Sequence, residues 1–209
     1  MLMTSSVRKL ALTTHVTSSV GWFGAVASFL VLAIVGVTSQ NAQTVRMAYI
    51  AMELVTWGVI VPFSLATLLT GIVQSLGTTW GLFRYYWIVA KLALTILATI
   101  ILLVHTQPIG RVAALAAERV LSSADLHQLR IQLIADAGAA MVALLVATTL
   151  SVYKPWGLTS YGRQVLNIDA SATLRSSGTA WKAVWILGLL LAIVLFVIVH
   201  LSQGGFHHH

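Results

Sequence analysis

Five long apolar stretches constrain the fold of this chain more than any other feature of its sequence. They cover residues 12–37, 47–74, 84–105, 128–152 and 182–201. A helix needs about 20 mainly apolar residues to cross the hydrocarbon core of a bilayer. The sequence therefore predicts an all-α integral membrane helical bundle of about five transmembrane helices. We expect one domain, residues 1–209, with a polar loop at about 153–180.

Composition excludes a soluble protein and several kinds of site. Hydrophobic residues make up 58% of the chain and charged residues only 8%, whereas about 25% of a soluble domain is charged. The chain has no cysteine, which excludes disulfides, iron–sulfur clusters and thiolate metal sites. The net charge of +7 suits basic loops on an anionic membrane surface and does not suggest nucleic acid.

Basic residues between the spans predict the orientation of the bundle. Cytoplasmic loops of membrane proteins are enriched in Lys and Arg. One side of this chain carries Arg8, Lys9, Arg84, Lys154, Arg163, Arg175 and Lys182. The other side carries Arg46, Arg111, Arg119 and Arg130, diluted by Glu118 and Asp125. We therefore expect the N-terminus in the cytoplasm and the C-terminus outside.

Polar residues at membrane depth are costly and tend to face the protein interior. The second stretch carries one such face, whose residues are spaced alternately four and three positions apart, as on one side of a helix. They are Glu53, Trp57, Ile60, Ser64, Thr67, Gly71 and Gln74. Its small residues are typical of a helix–helix seam, whereas Glu53 needs a partner or a proton. On the fourth stretch Asp136 also needs a partner, for which Arg130 or a cavity water is the candidate.

The third stretch carries Lys91 near one end and His105 at the other, roughly 21 Å apart on one helix face. We expect it to end there, at "TQPIG", before a short separate helix. We also expect Lys91 to lie at the level of His15, with its ammonium group reaching the inner headgroups, as lysine side chains do. A second group lies near the outer interface and combines ligands suited to copper, zinc or haem iron: His105, His127, His200 and Glu53.

Three sequence segments resemble a known membrane family. They are "KLALTTHVTSSVGWFGA" (9–25), "MELVTWGVIVPFSLATLLTG" (52–71) and "WIVAKLALT" (87–95). In this order they resemble the HemJ-type protoporphyrinogen oxidases and the related CopD-like membrane proteins, and more narrowly a family of small bacterial integral membrane proteins of that superfamily. The resemblance covers residues 8–111. It does not extend past residue 112, and the family core has four helices where five are expected here.

The resemblance implies a haem b in a helical bundle of the bacterial inner (plasma) membrane. His15 matches the family's first-helix histidine and would be an axial iron ligand. Lys91 matches its third-helix lysine and would lie near the haem or its propionates, with Trp22 and Arg84 also at the cofactor. We therefore expect a haem-binding oxidoreductase or electron-transfer protein. Its partners would be the lipid bilayer and a quinone or porphyrin-like small molecule.

Two other classes of function stay open at this stage. The first is a CopD-like protein that handles or transports a copper ion without haem and uses the outer histidines as its entry site. The few scattered methionines argue against it. The second is a non-catalytic membrane scaffold, in which the polar faces are packing seams only. A homo-oligomer is compatible with each class.

Overall fold

A computed structural model describes residues 3–118, 124–154 and 157–166. The first unit, which extends to Thr159, contains α1 (Ser5–Thr38), α2 (Ala42–Val55), a π-turn (Thr56–Ile60), α3 (Val61–Gly77), α4 (Tyr86–Ala117) and α5 (Ala124–Tyr153). The second unit begins at Ser160. Its described part is the short helix α6 (Ser160–Val165), in which the Arg163 guanidinium donates to the Ser160 hydroxyl.

Four helices of the described chain are long and apolar enough to cross a membrane: Ser5–Thr38, Ala42–Gly77, Tyr86–Ala117 and His127–Tyr153. They confirm the first four predicted spans and identify a multi-pass membrane protein. Each helix is longer than or similar to the apolar stretch that predicts it, because helices continue beyond the hydrocarbon core. The predicted fifth span, 182–201, lies outside the described residues.

The helices pack as a bundle around one core. Helices α1 and α4 each pack on the α2–α3 span and on α5. The core contains large apolar side chains from all of these spans, among them Trp22, Phe29, Met52, Ile60, Val112 and Leu133. The outward faces are also apolar, with exposed side chains that include Leu10, Val20, Leu54, Leu69, Val104 and Val142. An apolar outer surface on an apolar core is the arrangement expected of helices in contact with lipid.

A π-turn interrupts the second span and changes which residues face the core. Val61 donates its N–H to Thr56 five residues back, and Pro62, which has no N–H, follows directly. A π-turn inserts one residue into an α-helix. Thr56 and Ile60 are therefore buried, whereas Trp57 is 54% exposed. The predicted polar face is thus correct from Ile60 onward and wrong at Trp57.

Helix α4 does not end at "TQPIG" as predicted. It continues through Pro108 to Ala117, although proline removes one backbone hydrogen bond. Packing of the following turns explains the continuation, since Val112 and Ala116 are completely buried where α4 packs on α2. The apolar pattern of "RVAALAA" belongs to this contact and not to a separate helix.

An aromatic cluster lies where the loop between α3 and α4 meets the start of α4. Trp80 packs on Tyr85 and Trp87 with ring centroids 5.3 and 5.7 Å apart, and the Lys154 ammonium nitrogen lies 4.8 Å from the Trp80 ring centroid. Gly81 adopts φ +65°, a conformation that glycine adopts without strain. Aromatic and basic side chains together are typical of a membrane–water interface.

Candidate functional site

A buried histidine and a lysine meet at one end of the bundle, which we call the Lys91 end. His15 of α1 is 8% exposed, and Lys91 of α4 is half-buried. The Lys91 ammonium nitrogen lies 3.4 Å from His15 Nε2. The two residues are therefore at one level, as predicted, but the prediction that Lys91 reaches the headgroups is wrong. Its side chain turns to the imidazole because α1 and α4 both pack on α3.

The hydrogen bonds of His15 determine which ring nitrogen carries its proton. Nδ1 lies 3.1 Å from the backbone carbonyl of Thr67 and 3.1 Å from the Thr70 hydroxyl oxygen. A carbonyl oxygen can only accept, so Nδ1–H donates, and the Thr70 hydroxyl donates onward to the Ala66 carbonyl. In a neutral imidazole Nε2 then carries the lone pair and accepts from Lys91. A second proton, on Nε2, would oppose the ammonium group.

Helix α3 is shaped to receive the imidazole. A Cβ at Gly71 would lie 3.2 Å from His15 Cε1, a distance that leaves no room for a larger residue without movement of the ring. One turn along, the Gln74 amide donates to the Ala11 carbonyl and ties α3 to α1. The buried hydroxyl of Thr67 has no hydrogen-bond partner among the described residues. One hydroxyl group without a hydrogen-bond partner among the described residues therefore lies on α3, the helix that holds the His15 imidazole.

The other residues predicted at the cofactor are not in contact with this pair. Trp22 lies two helical turns from His15 and is 2% exposed within the core. Arg84 is half-buried in the loop before α4, where its guanidinium donates to the Thr79 carbonyl. Their proximity to a cofactor stays a prediction.

A second polar group lies at the opposite end, which we call the Arg130 end. Arg130 of α5 donates Nε to the Tyr49 hydroxyl at 2.6 Å and Nη2 to the Gly36 carbonyl. Its guanidinium also lies 5.5 Å from the Tyr49 ring centroid. One side chain therefore connects α1, α2 and α5. It also satisfies a carbonyl in the last turn of α1, where a cation is favourable.

The suggestion that Arg130 pairs with Asp136 is wrong, because Arg130 is engaged by Tyr49 and Gly36. Asp136 instead pairs with His105, with 3.5 Å between Oδ2 and Nε2. His105 Nδ1 lies 2.7 Å from the Ile101 carbonyl. Asp136 pairs with His105 because α5, which carries Asp136, packs on α4, which carries His105.

Among the described residues, the structure does not bring the predicted outer ligands His105, His127 and Glu53 together as one group. His105 is buried, whereas His127 is exposed and lies about 13 Å along α5 from Asp136, the partner of His105. A Cβ at Gly110 of α4 would lie 3.4 Å from a Glu53 carboxylate oxygen. Within 3–118, 124–154 and 157–166 no three His, Asp or Glu side chains form a metal-binding group. His200 lies outside those ranges, so the complete set stays a prediction.

Sequence reasoning missed the residues that orient His15. The Thr67 carbonyl is a backbone atom, which no residue pattern identifies, and Thr70 lies beside the predicted polar face rather than on it. The only sequence pattern that could have indicated this site is the spacing of Thr67, Thr70 and Gly71. It places two hydroxyl side chains and a residue without a side chain next to one another on the surface of one helix.

No family model, curated protein or solved structure matches the chain. Function must therefore be inferred from the site.

The donor set at the Lys91 end fits a haem iron and its carboxylates. His15 offers a lone pair on Nε2 in a water-poor setting, and Lys91 offers a cation for a propionate. Of the three histidines in the described part of the chain, His15 alone lies at this end. A haem here would therefore take one histidine ligand from the described residues.

Proposed function

We propose that this chain is a membrane oxidoreductase or electron-transfer protein that binds haem b at the Lys91 end, with His15 as the axial ligand. One observation carries the proposal: His15 Nδ1–H donates to the Thr67 carbonyl. Metal-ligating histidines typically donate their second ring N–H to a carbonyl or carboxylate, which fixes the tautomer and raises the basicity of the ligating nitrogen. The resemblance to HemJ-type proteins is the second support.

Lys91 has two roles in this proposal. In the absence of a ligand its ammonium group caps Nε2 of His15. With haem bound, its flexible four-carbon side chain would hold a propionate carboxylate, so that the positive charge would stay paired. Such pairing offsets the cost of an ammonium group within the bundle.

The protein residues supply binding, orientation and exclusion of water. The haem supplies the change of iron oxidation state, which is the redox chemistry of the cofactor itself. Trp22 would shield the site on the core side, and Arg84 would offer a second cation at the interface. The electron donor or acceptor would be a quinone or a porphyrin-like small molecule that reaches the site from the lipid.

We also propose that the Lys91 end faces the cytoplasm in a bacterial plasma membrane. Its support is the sequence count of basic residues expected on the two sides, which is seven to four: Arg8, Lys9, Arg84, Lys154, Arg163, Arg175 and Lys182 against Arg46, Arg111, Arg119 and Arg130. Cytoplasmic segments carry such an excess because positive residues are retained on that side. The N-terminus would then lie in the cytoplasm.

Absorption spectroscopy tests the haem proposal. The protein is expressed with a haem precursor, purified in detergent, and compared in oxidised and dithionite-reduced forms. We expect a Soret band, with sharp α and β bands after reduction, and loss of these bands in His15→Ala. His127→Ala is the matched control, because that histidine is exposed at the other end of the bundle, and it should keep the spectrum. A colourless wild-type protein, or bands that persist in His15→Ala, would overturn the proposal.

A further inference from the structure

An aromatic and basic surface lies just outside the spans at the Lys91 end, and we call it the Trp80 surface. Its principal residues are Trp80, Arg84 and Lys154. Each of them lies within three residues of the end of a helix that is long enough to cross a membrane. Side chains at such positions lie at the level of the lipid headgroups.

Hydrogen bonds between two loops hold this surface together. The Thr159 N–H donates to the Arg84 carbonyl at 2.8 Å, and the Tyr86 N–H donates to the Gly157 carbonyl at 3.3 Å. The chain that follows α5 is thereby fixed against the loop that precedes α4. Lys154, at the end of α5, is consequently held close to the loop that carries Trp80.

Two cationic groups meet at Trp80. The Lys154 ammonium nitrogen lies 4.8 Å from the ring centroid, within the range of a cation–π contact. The Arg84 guanidinium donates Nη1 to the carbonyl of Thr79, the residue directly before Trp80, at 3.1 Å. A guanidinium group has five N–H donors, so Arg84 keeps donors for a further acceptor.

The backbone of Lys154 indicates that its side chain has a function. Lys154 has a φ of +45°, and it is the only non-glycine residue with a positive φ in the part of the chain that the structure describes. This conformation is unfavourable for a residue with a Cβ, and a helix that ends in this way usually carries glycine there. Glycine would suit the turn better, so the lysine calls for a role of its ammonium group.

Carboxylates that could neutralise these cations are distant within the described ranges. On α5 the nearest one belongs to Asp136, about 27 Å along the helix axis from Lys154. On the α2–α3 span the nearest one belongs to Glu53, about 36 Å along the axis from Gly77. The positive charge of the Trp80 surface is therefore available to an anion from outside the described chain.

Exposed aromatic side chains border the two cations. They are Phe83, Tyr86 and Tyr153, which are sequence neighbours of Arg84 or Lys154. A soluble anion would gain little from these rings. The glycerol and upper acyl chains of a lipid would pack on them, because such rings are amphipathic or apolar.

We propose that the Trp80 surface binds the headgroup phosphate of an anionic phospholipid. The phosphate oxygens accept from the Lys154 ammonium group and from the Arg84 guanidinium, both of which suit phosphate. The neighbouring aromatic rings pack on the apolar part of the same lipid. The site lies in the loops and does not depend on a haem between the helices.

Native mass spectrometry of the full chain in detergent tests this proposal. Delipidated protein is titrated with dioleoylphosphatidylglycerol, which is anionic, or with dioleoylphosphatidylcholine, which has no net charge. We expect the wild type to bind the anionic lipid more tightly. Lys154→Gly should bind it about fivefold more weakly, the contribution of one cation near a membrane surface. This variant should fold, because glycine suits the φ of Lys154.

Lys9→Gln is the matched control. It removes the same charge from an exposed residue of α1 at the same end and should keep the wild-type affinity. Equal losses in Lys9→Gln and Lys154→Gly would overturn the proposal, because they would show a diffuse attraction between charges and no site. Equal binding of the two lipids by the wild type would overturn it as well.

Two further measurements complete the test. Glycerol phosphate at the concentration of the lipid should not displace it, and displacement would overturn the lipid proposal in favour of a soluble phosphate ligand. Arg84→Gln should weaken binding of the anionic lipid about fivefold, and unchanged binding would contradict the role of Arg84. Should this variant fail to fold, Lys154→Gly still decides.

Discussion

His15 and Lys91, which are 76 positions apart in the sequence, approach within 3.4 Å between Nε2 and Nζ. The contact joins α1 to α4, and α3 supplies the acceptor for the opposite side of the imidazole. Substitution of Lys91 removes the charged group, whereas substitution of His15 leaves the ammonium group of Lys91 without its partner.

Lys91→Met should therefore cost less stability than His15→Ala. Methionine removes the donor to Nε2 but also the cost of an ammonium group in the bundle, so we expect a change of no more than about 1 kcal/mol. Alanine at His15 leaves a cavity and an unpaired ammonium group, and we expect a loss of about 2–4 kcal/mol. Unfolding by SDS in mixed micelles measures both values. Equal losses would contradict the cost attributed to the Lys91 ammonium group within the bundle.

Gly21 and Gly24 provide a matched pair of substitutions on α1. A Cβ at Gly21 would lie 2.6 Å from Phe63 Cδ2, so Gly21→Ala must displace the ring and should cost about 1–3 kcal/mol. A Cβ at Gly24 has nothing within 4 Å, so Gly24→Ala should not destabilise the protein. Phe63→Leu should recover part of the loss in the double variant. If both alanine variants behave alike in SDS unfolding, α1 and α3 do not pack as described.

Arg130 makes two directional hydrogen bonds that a lysine cannot reproduce together. Arg130→Lys should cost about 2 kcal/mol, and Tyr49→Phe about 1 kcal/mol, because the second change leaves the bond to Gly36 intact. In the Tyr49→Phe background, Arg130→Lys should cost less than it does alone. Arg111→Lys is the control at an exposed arginine of α4 and should change stability by less than about 0.5 kcal/mol. Strict additivity in the double variant would argue against the bond.

The π-turn predicts an unusual tolerance to deletion. Removal of Gly58 takes out the one extra residue, so the span can become a regular α-helix with the faces of α2 and α3 still aligned. Removal of Leu65 from the regular helix α3 rotates one part of the span against the other by about 100°. We expect folded protein in size-exclusion chromatography for the first deletion and aggregation for the second. The reverse result would mean that the span has no extra residue.

The sequence predicts the spans well because a bilayer imposes their length and apolar character directly. It also predicts that His15 and Lys91 lie at one level, since depth follows from position along a helix. The π-turn at Thr56 and the passage of α4 through Pro108 are not predictable in this way. Both depend on contacts with neighbouring helices that offset a missing backbone hydrogen bond.

Partner choice is likewise beyond the sequence. Arg130 and Asp136 are six residues apart on α5, and the sequence offers Arg130 only as one candidate partner beside a cavity water. Which side chain faces α4 and which faces α1 and α2 depends on the order of helices around the bundle. That order places His105 beside Asp136 and the Gly36 carbonyl beside Arg130. The haem site stays a prediction, although its two principal residues are in contact.

The contacts between helices at the Lys91 end and at the Arg130 end also define the length of the bundle between them. His15 and Gly36, the α1 residues that contact Lys91 and Arg130, are roughly 31 Å apart along the helix axis, which is close to the hydrocarbon thickness of an average bilayer. Since both ends are tied across helices, one helix cannot tilt alone to accommodate thinner or thicker lipid. The cost of mismatch then falls on the lipid. The bundle should accordingly partition into membrane regions that match its own span.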